Sequence, residues 1–189
     1  MTQKHKSAPS NVYATSSDFC QIYVEQINSL YLLSVLLTAD PQKAERCFLS
    51  GFEDSVNSNY VFKERAHSWA RRNIILHAIR LLCPRPNDEN ESNEARLFPL
   101  KGTVPAEMHA HPSFARILGL NSFERFIFIM SILEKHSVHE CSLLLGCFHQ
   151  DVISARTAAI RHLVGVVIAT EIQPDRDVIA FAGVNYANR

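Results

Sequence analysis

The sequence predicts an all-α protein of two small helical domains, the second a helix-turn-helix unit, joined by an acidic, proline-containing linker. Three observations carry that expectation. Apolar residues recur at helical spacing in two separated blocks, the first beginning near Leu30 and the second near Leu120. Helix-start and helix-stop residues stand at the block boundaries. Between the blocks, Asn87 to Arg96 carries Asp88, Glu89, Glu91 and Glu94 against Arg96 alone, without apolar periodicity and bounded by Pro84, Pro86, Pro99 and Pro105. The expected division is a disordered N-terminus at 1–16, a helical domain at 17–83, a linker at 84–111, a second helical domain at 112–169 and a tail at 170–189.

The first helix is expected from about Ser17 to Leu37, apolar at Ile22, Ile27, Leu30, Leu33 and Leu37. Asp40-Pro41 restarts the chain, because Asp40 can accept hydrogen bonds from first-turn amides and Pro41 presets φ where no donor is needed. A second helix then reaches about Val56. A third runs from about Tyr60 to Leu82 and ends before Pro84, since a residue preceding proline is driven from helical dihedrals.

On a wheel, one side of that third helix gathers Ala70, Ile74, Ile75, Ala78 and Ile79, and the other Arg65, Trp69, Arg72, Asn73, His77 and Arg80. From Val61 to Arg85 six basic residues face only Glu64. A tryptophan among arginines suits nucleic acid, by stacking on a base while guanidinium groups hold phosphates. The same pattern equally describes Trp69 packed on a neighbouring helix beside a solvated basic face. Arg71 falls among the apolar positions and must snorkel or pair.

In the second block, Asn121–Glu124 and Ser137–Glu140 match the capping-box spacing, and Gly146 marks a helix end. Helices are expected at about Ser122–Lys135, Ser137–Leu145 and Gln150–Ile168, an arrangement shared by a helix-turn-helix unit and a plain bundle.

Composition bounds the function. A chain of 189 residues, 47% hydrophobic, can bury a core, and its formal net charge of zero argues against coating nucleic acid by electrostatics alone. The dense apolar run Leu30–Ala39 is far short of a membrane span, and the polar N-terminus has no signal-peptide pattern, so a cytoplasmic protein without membrane contact is expected. Five scattered cysteines read as reduced core residues. Nine histidines, with His136, His139 and Cys141 close together, raise the question of a metal, but no CxxC or HxxxH pair occurs, and no metal or cofactor is expected. Nor is a nucleophile, base and orienting group recognisable, so an enzyme is not expected. The tail, apolar from Val178 to Val184, admits a short strand, a docking peptide or a covering segment.

Leu30-Tyr31, Leu37-Thr38, Asp40-Pro41, Ala44-Glu45 and Phe52, followed by Arg72-Asn73, Ala78 and Arg80, resemble the second region of bacterial RNA polymerase sigma factors of the extracytoplasmic-function type. Leu120, Glu124-Arg125, Phe128, Leu133-Glu134, Ser137, Glu140, Leu145-Gly146, Val152, Ser154, Ala159 and Leu163 are similar to that family's fourth region. The resemblance implies a divergent sigma factor that docks on core RNA polymerase and reads promoter DNA, with an inhibitory anti-sigma protein as a further partner. By position, Arg65, Trp69, Arg72, Asn73, His77 and Arg80 would face DNA at the melted end of the promoter. Val152, Ser154 and Arg156 would face duplex upstream, and Glu45 would touch polymerase.

The chain departs from the family's pattern where Arg46, Cys47, Phe48, Leu49 and Ser50 replace an acidic, glutamine-rich run, where Ile153 and Ala155 replace basic residues, and where His77 replaces an acidic one. Between Phe114 and Leu163 basic residues exceed acidic ones by one. These departures ground an alternative, a degenerate sigma-like regulatory or protein-interaction module without promoter recognition, favoured if Phe48, Leu49 and Ile153 lie on the surface.

Overall fold

The structure, a computed structural model, describes residues 12–86 and 112–171, the side chains of the second stretch from 114 to 165. The acidic run at 88–94, most of the expected linker, the first eleven residues, His109 and His111, and the apolar run at 178–184 lie outside the described residues. The fold is all-α. Among the described residues there are eight α-helices and no strand, only an isolated antiparallel bridge between Tyr13 and Phe62.

Helix α1 (Ser16–Glu25) opens on a capping box in which Thr15 Oγ1 accepts from the Asp18 amide and Asp18 Oδ2 accepts from the Thr15 amide at 2.7 Å. The single helix expected over Ser17–Leu37 is two, because Gln26 (φ −111°, ψ 19°) leaves helical geometry and α2 (Ile27–Thr38) starts afresh. Helix α2 ends on left-handed Ala39. Helix α3 (Pro41–Val56) begins as its residues predict, with the Asp40 carboxylate accepting from the Lys43 amide at 2.9 Å and Pro41 in the first turn.

Helix α4 (Ala66–Leu82) starts later than expected. Val12–Ala14 pairs with Val61–Lys63 through two backbone hydrogen bonds of 2.7 and 3.0 Å, which draws that stretch out of helix; Tyr60 turns at φ 61° and one 3₁₀ turn (Lys63–Arg65) leads in. Of the N-terminus expected to be disordered over 1–16, residues 1–11 lie outside the described ones, whereas Val12 to Ala14 are held by this pairing and Ala14 is buried.

After the undescribed segment come α5 (Pro112–Leu118), α6 (Ser122–Phe128), α7 (Val138–Leu145) and α8 (His149–Glu171). The helix expected to run to Lys135 widens into a π turn at Ile129–Leu133, with the Glu134 and His136 amides donating to Ile129 and Met130, and the chain leaves it through left-handed Lys135. Ser137–Glu140 forms a complete capping box, and Gly146 (φ 64°) closes α7. At Asn121 only half a box is made: its side chain accepts from the Glu124 amide at 2.8 Å, while the Glu124 carboxylate turns away to His162 Nδ1 at 2.9 Å.

One buried cluster runs through both helical groups. Phe19, Leu30, Leu37, Ile74 and Ile75 from the first and Phe126, Ile127, Ile129, Met130 and Val152 from the second belong to it. Helix α2 is the shared element, packing on α3, α4 and α6. That explains its composition: Leu33 to Thr38 are all buried, as suits a helix covered on more than one side. Its hydroxyls are satisfied within the helix, Ser34 donating to Leu30 O and Thr38 to Ser34 O.

Arg125, 7% exposed, reinforces the junction. Its guanidinium donates to the Leu37 carbonyl at the end of α2 (3.4 Å) and to those of Leu118 (3.3 Å) and Leu120 (2.9 Å). On the other side of the junction, Arg71 forms a two-pronged ion pair with Glu134 of the π turn and donates to Ser29 Oγ at 3.0 Å. Arg71 thereby finds the partner its place in an apolar arc requires, and the pairing raises its pKa.

Candidate nucleic-acid interface

The outer face of α4 and the 3₁₀ turn before it present Arg65 and Trp69 to solvent, with Arg72 half-buried beside them. Trp69 is 37% exposed, its indole Nε1 donating to Ser58 Oγ at 2.8 Å, so one ring edge is held while the side chain stays accessible. His77 Nε2 sits 2.8 Å from Asp54 Oδ2, and Arg80 Nη1 3.7 Å from the same oxygen, so α3 returns a negative charge to the far end of the face. Lys63 pairs with Asp18 at 3.1 Å. Arg65, Arg72 and Arg85 make no ion pair among the described residues. The basic excess expected from the sequence thus contracts to a smaller surface around Arg65, Trp69 and Arg72.

Asn73 is not part of that surface, contrary to the expectation that it faces DNA. It is 5% exposed, and its Nδ2 donates at 2.9 Å to Ser55 Oγ, which itself donates to the Gly51 carbonyl at 2.7 Å. The Tyr23 hydroxyl lies 3.2 Å from the same Ser55 oxygen, and burial pushes its pKa up to about 12. Asn73 therefore closes a buried polar knot between α1, α3 and α4. The reason is that α4 is covered on two sides, by α1 and α2 and by α3, so its buried arc is wider than a single apolar stripe.

Arg71 and Arg72, with Ser68, Leu133, Glu134 and His136, line a cleft of about 380 Å³ between α4 and the π turn. Glu134 occupies the Arg71 side of it.

In the second group, α7, three residues (Gly146, Cys147, Phe148) and α8 form a tight corner. Phe148 donates its amide to Asp151 Oδ2 at 3.0 Å, which caps the start of α8. Val152, expected to face duplex, is fully buried with Ala155 and Ala159 as the stripe that seats α8 on the core, and this corrects its assignment. Ser154 and Thr157 are exposed, Arg156 half-buried, and Ile153 40% exposed. Phe148 is 82% exposed. On α3, Glu45 is exposed next to exposed Arg46, and Leu49 is 53% exposed, whereas Phe48 packs against Tyr23 and Tyr31.

The buried thiols of Cys47 and Cys141 are pushed up to about 11 by desolvation and Cys147 is raised for the same reason, which keeps all three protonated near neutral pH. His139 lies against His149 rather than Cys141, a contact that sequence spacing did not suggest because ten positions separate them. The buried role of Arg125 was signalled only by its place in the run Phe123 to Met130, which is apolar apart from it and Glu124. Among the described residues, no helix is long and apolar enough to cross a membrane.

Comparison of the chain with protein families, with curated proteins and with solved structures finds no match.

Proposed function

We propose that this chain is a divergent sigma-type initiation factor, a cytoplasmic protein that binds core RNA polymerase and promoter DNA and works by binding alone, with no covalent step. The observation that carries the reading is the corner of α7 and α8: a capped short helix, a left-handed glycine, and a long second helix seated by Val152, Ala155 and Ala159 while Ser154 and Thr157 face outward. Those are the requirements of a helix-turn-helix unit, whose second helix puts the residues of its first turns on base edges. Under this reading Arg65, Trp69 and Arg72 take the unpaired strand, with His77 beside them and Arg80 adding charge already shared with Asp54. Ser154 and Arg156 face duplex, and Glu45 contacts polymerase. An inhibitory anti-sigma protein is a natural further partner.

The test is co-purification of the full chain with core RNA polymerase at physiological salt, followed by transcription from promoter fragments. Stoichiometric recovery and specific initiation are expected, and Trp69→Ala with Arg72→Ala should abolish promoter opening with the fold intact. Opening by that double variant at the unaltered level would remove α4 from the interface.

A second reading, a sigma-like protein-interaction module, is favoured by one observation: Leu49, Phe148 and Ile153 present apolar side chains where contacts to polymerase or phosphate would fall. Folded protein that ignores polymerase while capturing a defined protein partner is its expected behaviour.

A further inference from the structure

His139 stands in the first turn of α7 and His149 at the first position of α8, on either side of the Gly146–Phe148 corner. Both are exposed, and their rings meet edge to face with centroids 5.4 Å apart. His139 Nδ1 and His149 Nε2 are 3.3 Å apart. Two imidazole nitrogens bound at about 2.0–2.1 Å to a tetrahedral cation stand about 3.3–3.4 Å from one another. The pair already has the bite of a two-point chelate.

We propose that His139 and His149 form a binding site for a divalent transition-metal cation, zinc being the type, which bridges the start of α7 to the start of α8. Imidazole nitrogen selects such ions, while calcium and magnesium take oxygen ligands. In the direct contact one ring donates to the other; on binding, that ring moves its proton to its second nitrogen, so both facing lone pairs reach the ion and no proton is lost.

The neighbouring carboxylates do not complete the set, and the structure says why. Glu140 is committed to the Ser137 cap and Asp151 to the Phe148 amide. No group of three ligating side chains occurs among the described residues, so water fills the remaining positions and the ion is exchangeable. Both rings stand at helix N-termini, where the dipole opposes a cation, and Glu140 and Asp151 on the same turns offset that repulsion. Bound metal would pin α8 against α7 and stiffen the three-residue corner. This site stands whether or not the chain is an initiation factor.

The experiment uses the full chain, freed of any polyhistidine tag and treated with chelator, titrated with Zn²⁺ near neutral pH and followed by calorimetry and thermal unfolding. Uptake of one ion in the micromolar range with a rise in Tm is expected. His139→Gln and His149→Gln should each weaken binding at least by the roughly tenfold that loss of a mere supporting partner brings, and the double variant, with no imidazole left at the corner, should show no uptake there. Circular dichroism without metal checks that the variants fold. In the unaltered chain, Co²⁺ should broaden two imidazole resonances at low occupancy, and these should be the two that the variants lose. Absence of uptake, uptake unchanged in the variants, or broadening of other imidazoles overturns the proposal.

Discussion

Helices α4 and α8 are the two longest among the described residues, and each sends side chains into the common core, yet they show solvent different chemistries. The outward side of α4, with the 3₁₀ turn before it, carries Arg65, Trp69 and Arg72, and Arg80 near Asp54. The outward side of α8 sets the apolar Ile153, Ile160 and Val164 beside Ser154, Thr157 and Arg161, with Arg156 half-buried. Charge that can hold a phosphate backbone, and so set the salt dependence of binding, therefore stands on both. In a complex with DNA the two halves contribute different further terms, stacking from Trp69 on α4 and apolar contact from α8.

That division presumes that the halves move as one unit. The largest effect that would break it is expected at Arg125, whose guanidinium satisfies carbonyls on α2 and on the α5–α6 turn. Arg125→Met leaves those acceptors buried and should lower stability by about 3 kcal/mol in urea unfolding, since hydrogen bonds from charged donors contribute about 1.5–3 kcal/mol each and these are long. A loss below about 1 kcal/mol would mean that apolar packing alone joins the halves.

Two glycines, one in each half, sharpen the comparison at the next level. A Cβ on Gly51 would stand 2.8 Å from Ile74 Cγ1 and 3.1 Å from the Ile74 backbone nitrogen, so Gly51→Ala forces α3 from α4 and should cost about 1–3 kcal/mol. A Cβ on Gly146 meets nothing within 4 Å, so Gly146→Val is penalised through its left-handed φ of 64°, by more than about 1 kcal/mol. With one cooperative core, each variant lowers the same single thermal transition. Two transitions, each lowered by only one variant, would separate the halves, and equal stability of Gly146→Val would contradict the left-handed turn.

The sequence made the local devices legible and the shared ones illegible. Asp40-Pro41, Ser137–Glu140 and Gly146 act within one turn of themselves, and each stands in the structure as its residue type dictates. The stripe of Val152, Ala155 and Ala159, at i, i+3 and i+7, has the pattern of a buried face as well, yet the family resemblance put Val152 against duplex. Asn73 was misassigned because a wheel treats a helix as having one covered side, whereas α4 has neighbours on two. The break at Gln26, the left-handed Tyr60 and the π turn answer tertiary demands: a strand-like contact with Val12–Ala14, and a chain path that brings Glu134 to Arg71. Arg71 advertised its need for a partner, but nothing local could name one 63 residues away.

The smallest expected effect comes from a device that both halves use. Half-buried Asp18 caps α1 and exposed Glu140 caps α7, and each carboxylate is held below its usual range first by the backbone amide of its cap residue, Thr15 or Ser137, and then by that residue's hydroxyl. Asp18 also holds Lys63, and its pKa falls from 3.8 to about 2. A carboxyl whose folded pKa is depressed adds stability that is fully present above the unfolded value and is lost as pH falls through the folded one. The Tm difference between the unaltered chain and Asp18→Asn should therefore be constant above about pH 4 and shrink away towards about pH 2. Glu140→Gln should show the same sign, the salt-screened part coming from His136 and Arg72 in place of a bonded lysine. A Tm difference for Asp18→Asn that survives below pH 2 would mean that the side chain's shape, rather than its charge, secures the N-terminal helix to the Lys63 turn.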